Sequence, residues 1–196
     1  SNRYDWGKEL ASGLRQRIPN VEVIESSYGN TSLLGFVLPA TRRRNRLWLQ
    51  DQYTEALARH PHAVFDVVAH SNGAYLLGES LAALPVMRFD RVALLGSVLP
   101  ASYPWRERHA LGQVGTIRSE RASGDAVVAV VASGLRGLGM MDVGTSGWSG
   151  FNETGPFLAE PGWRNGGHHA TVSRENLADV AEFIATGHAD APVTGR

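Results

Sequence analysis

The chain has 196 residues, 43% of them hydrophobic, and its 19 basic and 19 acidic side chains balance to a formal net charge of zero. That is enough sequence for one domain with a sizeable core, and too apolar for a disordered chain. The charge balance leaves no basic excess to grip nucleic acid phosphates, and with no cysteine there can be no disulfide, iron–sulfur cluster or thiolate zinc site.

In chain order, Trp6, Leu10 and Leu14 recur every four residues, so residues 4–17 read as a helix stopped before Pro19. VEVIESS at 21–27 alternates apolar with polar and predicts a strand. Residues 28–41, with Gly29, Gly35 and Pro39, read as a loop or short helical insertion, followed by a helix over 43–60 with Leu49, Tyr53, Ala56 and Leu57 on one face. A strand at 64–70 leads into a helix at 72–84, ended by Pro85. VALLGSV at 92–98 is a buried-type strand, 115–122 another, and the apolar stretch 126–138 predicts a helix. The glycine-rich stretch 142–167 reads as irregular, with a short strand at 156–160. The last helix is capped by Ser173, lined by Leu177, Val180, Ala181 and Ile184, and stopped by Gly187.

Strands alternating with helices imply an α/β domain, with a mostly parallel central sheet covered by helices on both faces. There are no repeats and no interdomain linker, so residues 1–196 read as a single domain. Within it, 29–46 and 142–167 are candidate lid or loop insertions on the pocket side. No stretch approaches the roughly 18 consecutive apolar residues of a membrane span. No signal peptide is recognisable either, so a cytoplasmic location is expected.

Chemistry concentrates at FDVVAHSNGAYLL, residues 65–77. An apolar strand gives way within about two residues to a helix whose face carries Ala74, Leu77, Leu81 and Leu84. The plain reading makes Ser71 an ordinary helix N-cap. The sharper one makes it the apex of a strand-to-helix elbow, with small residues Ala69 and Gly73 on either side letting strand and helix approach. Such a turn lifts the Ser71 hydroxyl to the carboxyl edge of the sheet and aims the Asn72 backbone N–H, at the helix N-terminus, at the oxyanion of an attacked carbonyl.

A serine hydroxyl needs a base and an orienting acid to become a nucleophile. Asp125, in SGD after a predicted strand, and His168, in GGHH before the last helix, follow Ser71 in the order that elbow enzymes use. Asp125 has the competing role of helix N-cap, and Asp142 and Glu120 are rival acids. His169 is the alternative base; the glycine pair before His168 favours the first histidine. His70 should pack against the sheet, since successive strand residues face opposite ways.

AHSNG, SGD and GGHH together resemble the α/β-hydrolase superfamily, specifically its esterase-like and lipase-like serine hydrolases. The resemblance spans essentially the whole chain. It implies an α/β-hydrolase fold, a Ser71–His168–Asp125 triad, an acyl-enzyme and a small-molecule acyl ester substrate, with no cofactor and no metal. In that family a second oxyanion donor follows a strand that would precede the helix at Tyr4, so N-terminal strands are expected to be missing from this chain. The alternative is a noncatalytic α/β-hydrolase-like module that binds a small molecule in the same pocket.

The run Arg42-Arg43-Arg44-Asn45-Arg46 reads either as a solvated face or as an anion-binding rim. Leu33, Leu34, Phe36, Val37 and Leu38 before it suit a small acyl lid or plain core. No G-x-G-x-x-G or G-x-x-x-x-G-K occurs, so dinucleotide and P-loop readings lack their phosphate cradle. The His168-His169 pair alone is a poor metal site.

Overall fold

The computed structural model describes residues 5–25, 38–123 and 144–186, with the backbone alone at His168. Helix α1 (Trp6–Arg17) starts at Asp5, whose side chain accepts the Lys8 N–H, and buries Leu10, Ala11 and Leu14. Residues 21–25 form no ladder among the described residues, so the strand expected over 21–27 is not found there; residues 26 and 27 lie outside the described residues. Period-two alternation creates a face for a sheet but does not supply a partner strand. Val23 instead packs beside the α1 cluster, and Glu22 pairs with Arg59 and His60.

Helix α2 (Pro39–Arg59) begins earlier than the sequence suggests. Pro39 occupies its first turn, where a missing N–H is no loss. Strand β1 (Val67–His70) feeds helix α3 (Asn72–Ala83), and strand β2 (Phe89–Leu95) follows. A short helix α4 (Trp105–Ala110) then leads to strand β3 (Val114–Glu120). After residues 124–143, which lie outside the described residues and contain the whole of the helix expected at 126–138, come α5 (Ser146–Ser149) and the two-residue strand β4 (Leu158–Ala159). A 3-10 turn (His168–Val172) precedes the last helix, α6 (Arg174–Thr186).

These strands make a four-stranded, all-parallel sheet in the order β1-β2-β3-β4. Strand β2 lies inside it, and its near-continuous apolar run serves both faces. Val92 and Leu94 join Leu77 and Leu81 of α3 and Trp105 of α4 on one side. Ala93 and Leu95 join Leu10 and Leu14 of α1 and Leu177, Val180 and Ile184 of α6 on the other. The chain is therefore an α/β protein with flanking helices, and every strand presents its carboxyl end to the same edge of the sheet.

Candidate active site

At that edge the last rung between β1 and β2 is the Ser71 N–H, donating to the Leu95 carbonyl at 2.9 Å. The backbone then reverses. Ser71 adopts φ 53° and ψ −118°, and α3 begins at the next residue. A non-glycine residue with positive φ is uncommon, and such strain persists only where the surroundings enforce it. Ser71 is half-buried, and its side chain makes no capping hydrogen bond to α3. The ordinary N-cap role therefore does not account for this serine. A Cβ added at Gly73 would meet the Ala69 Cβ at 3.9 Å, an ordinary contact. Strand and helix approach closely here, but an alanine would still fit. His70 turns to the opposite side and meets the Trp6 ring edge-on, with centroids 5.7 Å apart.

The chain leaving β3 and the chain ahead of the 3-10 turn run side by side. The Gly96 N–H donates to the Glu120 carbonyl at 3.1 Å, which carries the ladder from β2 to the end of β3. Past Glu120, the Arg164 N–H donates to the Arg121 carbonyl at 2.8 Å and the Ser123 N–H to the Arg164 carbonyl at 2.9 Å. The segment leading to Asp125 thus pairs with the segment leading to His168. Asp125 itself lies outside the described residues, as does its rival Asp142.

The 3-10 turn opens at His168, and His169 is exposed. Val172 closes the turn in the same buried cluster as Leu95 of β2, with Trp6 packed against it. The chain has therefore come back from β4, at one edge of the sheet, toward β2. Asn176 fastens the turn to α6 by donating its Nδ2–H to the Thr171 carbonyl at 2.6 Å. The backbone gathers the Ser71 turn, residues 121–123 and Arg164 at one sheet edge. Among the described residues, no side-chain hydrogen bond joins Ser71 to a histidine.

Beneath these loops lies a charged network that the sequence reading missed. Glu120, wholly buried, accepts from Arg118 Nε at 2.6 Å and from Arg164 Nε at 3.1 Å, and Arg164 Nη2 reaches Asp179 of α6 at 2.6 Å. With both oxygens engaged by guanidinium groups, Glu120 is a poor candidate for orienting a histidine. Burial works against the Arg164 charge, but Glu120 and Asp179 more than offset it and raise its pKa. The signal was present in IRSE: Arg118 and Glu120, two apart on a buried strand, must share a face.

The described parts of 29–46 and 142–167 pack against the rest of the fold. The Gly144 N–H donates to the Val98 carbonyl and the Gly147 N–H to the Ser97 carbonyl, tying α5 onto the carboxyl end of β2. The arginine run divides. Arg42 donates to the Tyr75 hydroxyl at 2.8 Å and Arg46 lies 3.9 Å from Glu79, both on α3, whereas Arg43 and Arg44 are exposed. Leu33, Leu34, Phe36 and Val37 lie outside the described residues; Leu38 is exposed at the start of α2. An open depression of about 470 Å³, lined by Tyr53, Phe65, Arg88 and His109 among others, sits at the amino end of β2 and β3, away from Ser71. Among the described residues no cluster of three or more His, Asp or Glu stands ready for a metal, and no helix is long and apolar enough to cross a membrane.

No protein-family model matches the chain, and no curated protein or solved structure is significantly similar to it. Its class therefore rests on its own architecture, a parallel α/β fold with a strained serine where a strand turns into a helix.

Proposed function

We propose that the protein is a serine hydrolase of α/β-hydrolase type, cleaving a carboxylic ester or related acyl bond. Ser71 attacks the acyl carbonyl while His168 takes the hydroxyl proton and Asp125 orients the imidazole. The Asn72 N–H, at the positive end of the α3 dipole, stabilises the oxyanion. His168 then protonates the leaving group. Water, deprotonated by the same histidine, attacks the acyl-enzyme and frees Ser71.

The observation that carries this reading is the uncapped serine at φ 53° between β1 and α3. A structural serine at a helix start has no need of that conformation, whereas a nucleophile that must stand clear of the sheet does. Side-by-side pairing of residues 121–123 with Arg164 supports it, because a triad needs its acid and base loops to leave from neighbouring positions. The test is labelling of the intact chain with a fluorophosphonate and mapping of the adduct. Modification at Ser71, lost in Ser71→Ala, supports the hydrolase. A chain that binds small acyl esters but never takes the label is the noncatalytic binding module instead.

A further inference from the structure

The Arg164 side chain joins three pieces of chain that the proposed chemistry needs in register. Its Nε–H donates to Glu120 at the end of β3, 3.1 Å away, and its Nη2 donates to Asp179 on α6 at 2.6 Å. Its own backbone pairs with residues 121 and 123, on the way to the acid loop. The turn carrying His168 and His169 thus hangs between two stems, residue 164 and α6. One guanidinium holds those stems to each other and to the end of β3. The Arg164 side chain is only 12% exposed and Glu120 is wholly buried, so solvent screens the contact weakly. A planar guanidinium donating to two carboxylates fixes direction as well as distance, which an ammonium group does not.

We infer that Arg164 is a positioning residue for the base: it sets where the His168–Val172 turn stands relative to the end of β3, and through that turn how well the base serves Ser71. The inference rests on the serine-hydrolase reading above. Its rival is a plain staple that holds the fold without tuning the site. Arg164 is the member of the network whose removal leaves Glu120 a cationic partner. Without it, Arg118 still donates to Glu120 at 2.6 Å, and Asp179 is a quarter exposed. Glu120→Gln, by contrast, would strand the wholly buried Arg118 beside a neutral group.

The experiment measures aryl ester hydrolysis by the full chain in wild type, Arg164→Gln, Asp179→Ala, His168→Ala and the two double variants with His168→Ala. Misplacing a catalytic group by about an ångström costs on the order of a hundredfold. Arg164→Gln should therefore lower kcat about 10–100-fold with KM changed less than about threefold, and Asp179→Ala should lower it in the same sense. In the His168→Ala background neither change should cost anything more, because no base remains to be positioned. Losses that multiply in that background, or wild-type kcat in Arg164→Gln, overturn the inference. If Arg164→Gln does not fold, Asp179→Ala carries the same comparison. Fluorophosphonate labelling of the wild type separates the two levels. No label at Ser71 sinks both the hydrolase reading and this inference, whereas a labelled wild type with a fully active Arg164→Gln sinks the inference alone.

Discussion

A serine at φ 53° carries a backbone cost that a glycine would not. Sparsely populated conformations of this kind cost about 1–3 kcal/mol, so two inactivating substitutions at position 71 should differ in stability. Both Ser71→Ala and Ser71→Gly remove the hydroxyl and should abolish turnover. Ser71→Gly should also unfold at higher denaturant than Ser71→Ala, by about 1–3 kcal/mol; equal midpoints would mean the turn is not strained. The histidines make a second test at this scale, since only one imidazole can reach Ser71 over the roughly 3 Å of a hydrogen bond. His168→Ala should lower turnover on the order of a thousandfold, and the Ser71→Ala, His168→Ala double variant should be scarcely slower than either single one. His169, exposed on the same turn, should matter far less; a dead His169→Ala would move the base by one position. The turn at Ser71 was legible in the sequence because the end of its strand, the start of its helix and its small flanking residues all lie within thirteen consecutive positions. Arg164 was not, because its partners Glu120 and Asp179 are brought to it by the sheet and by α6.

At the scale of elements, long apolar periodicity was readable and pairing was not. α1, α2, α3 and α6, and β1 to β3, are found where hydrophobic spacing puts them, with ends shifted by a few residues. β2 begins at Phe89 rather than Val92 because the Phe89 N–H finds the Gln113 carbonyl, a bond no local pattern announces. α4 was missed because WRERHA offers a single wholly buried anchor, Trp105, among charges, too little for periodicity. The close seat of α5 on β2 was invisible for the same reason as Arg164. It depends on glycine, and the contacts there are unforgiving. A Cβ at Gly147 would lie 2.5 Å from the Gly96 carbonyl carbon and 2.6 Å from the Ser97 nitrogen, both backbone atoms that cannot step aside. Gly147→Ala should therefore destabilise the fold by about 1–3 kcal/mol or more. Gly73→Ala is the control: its Cβ meets only the Ala69 Cβ, at 3.9 Å, and alanine favours the helix by up to about 1 kcal/mol. Thermal melts of the two variants should separate cleanly, with Gly73→Ala at or above wild type. A Gly147→Ala protein as stable as wild type would show that α5 is not seated as described.

Over the whole molecule, a net charge of zero conceals carboxyl groups whose surroundings disfavour ionisation. Burial pushes Asp66, just ahead of β1, above its ordinary 3.8, with Arg91 pulling the other way. Burial likewise pushes Glu160, just past β4, above 4.5, against the Phe151 N–H and Arg121. In both cases the folded state holds the proton more tightly than the unfolded chain. Their contribution to stability is therefore fully present below the unfolded pKa and lost as the pH rises through the raised folded value. Each side chain also accepts a backbone hydrogen bond, Asp66 from the Arg91 N–H at 2.9 Å and Glu160 from the Phe151 N–H at 3.1 Å. An amide oxygen can accept both. The Asp66→Asn, Glu160→Gln double variant keeps those bonds and removes the two charges that burial opposes. It should melt at or above the wild type at pH 7, and its advantage should shrink as the pH falls toward about 3, where the wild-type carboxyls are largely protonated in both states. A melting series across that range decides the matter. A variant that melts below wild type at neutral pH, and recovers in acid, would mean that Arg91 and Arg121 gain more from the ionised carboxylates than burial costs them.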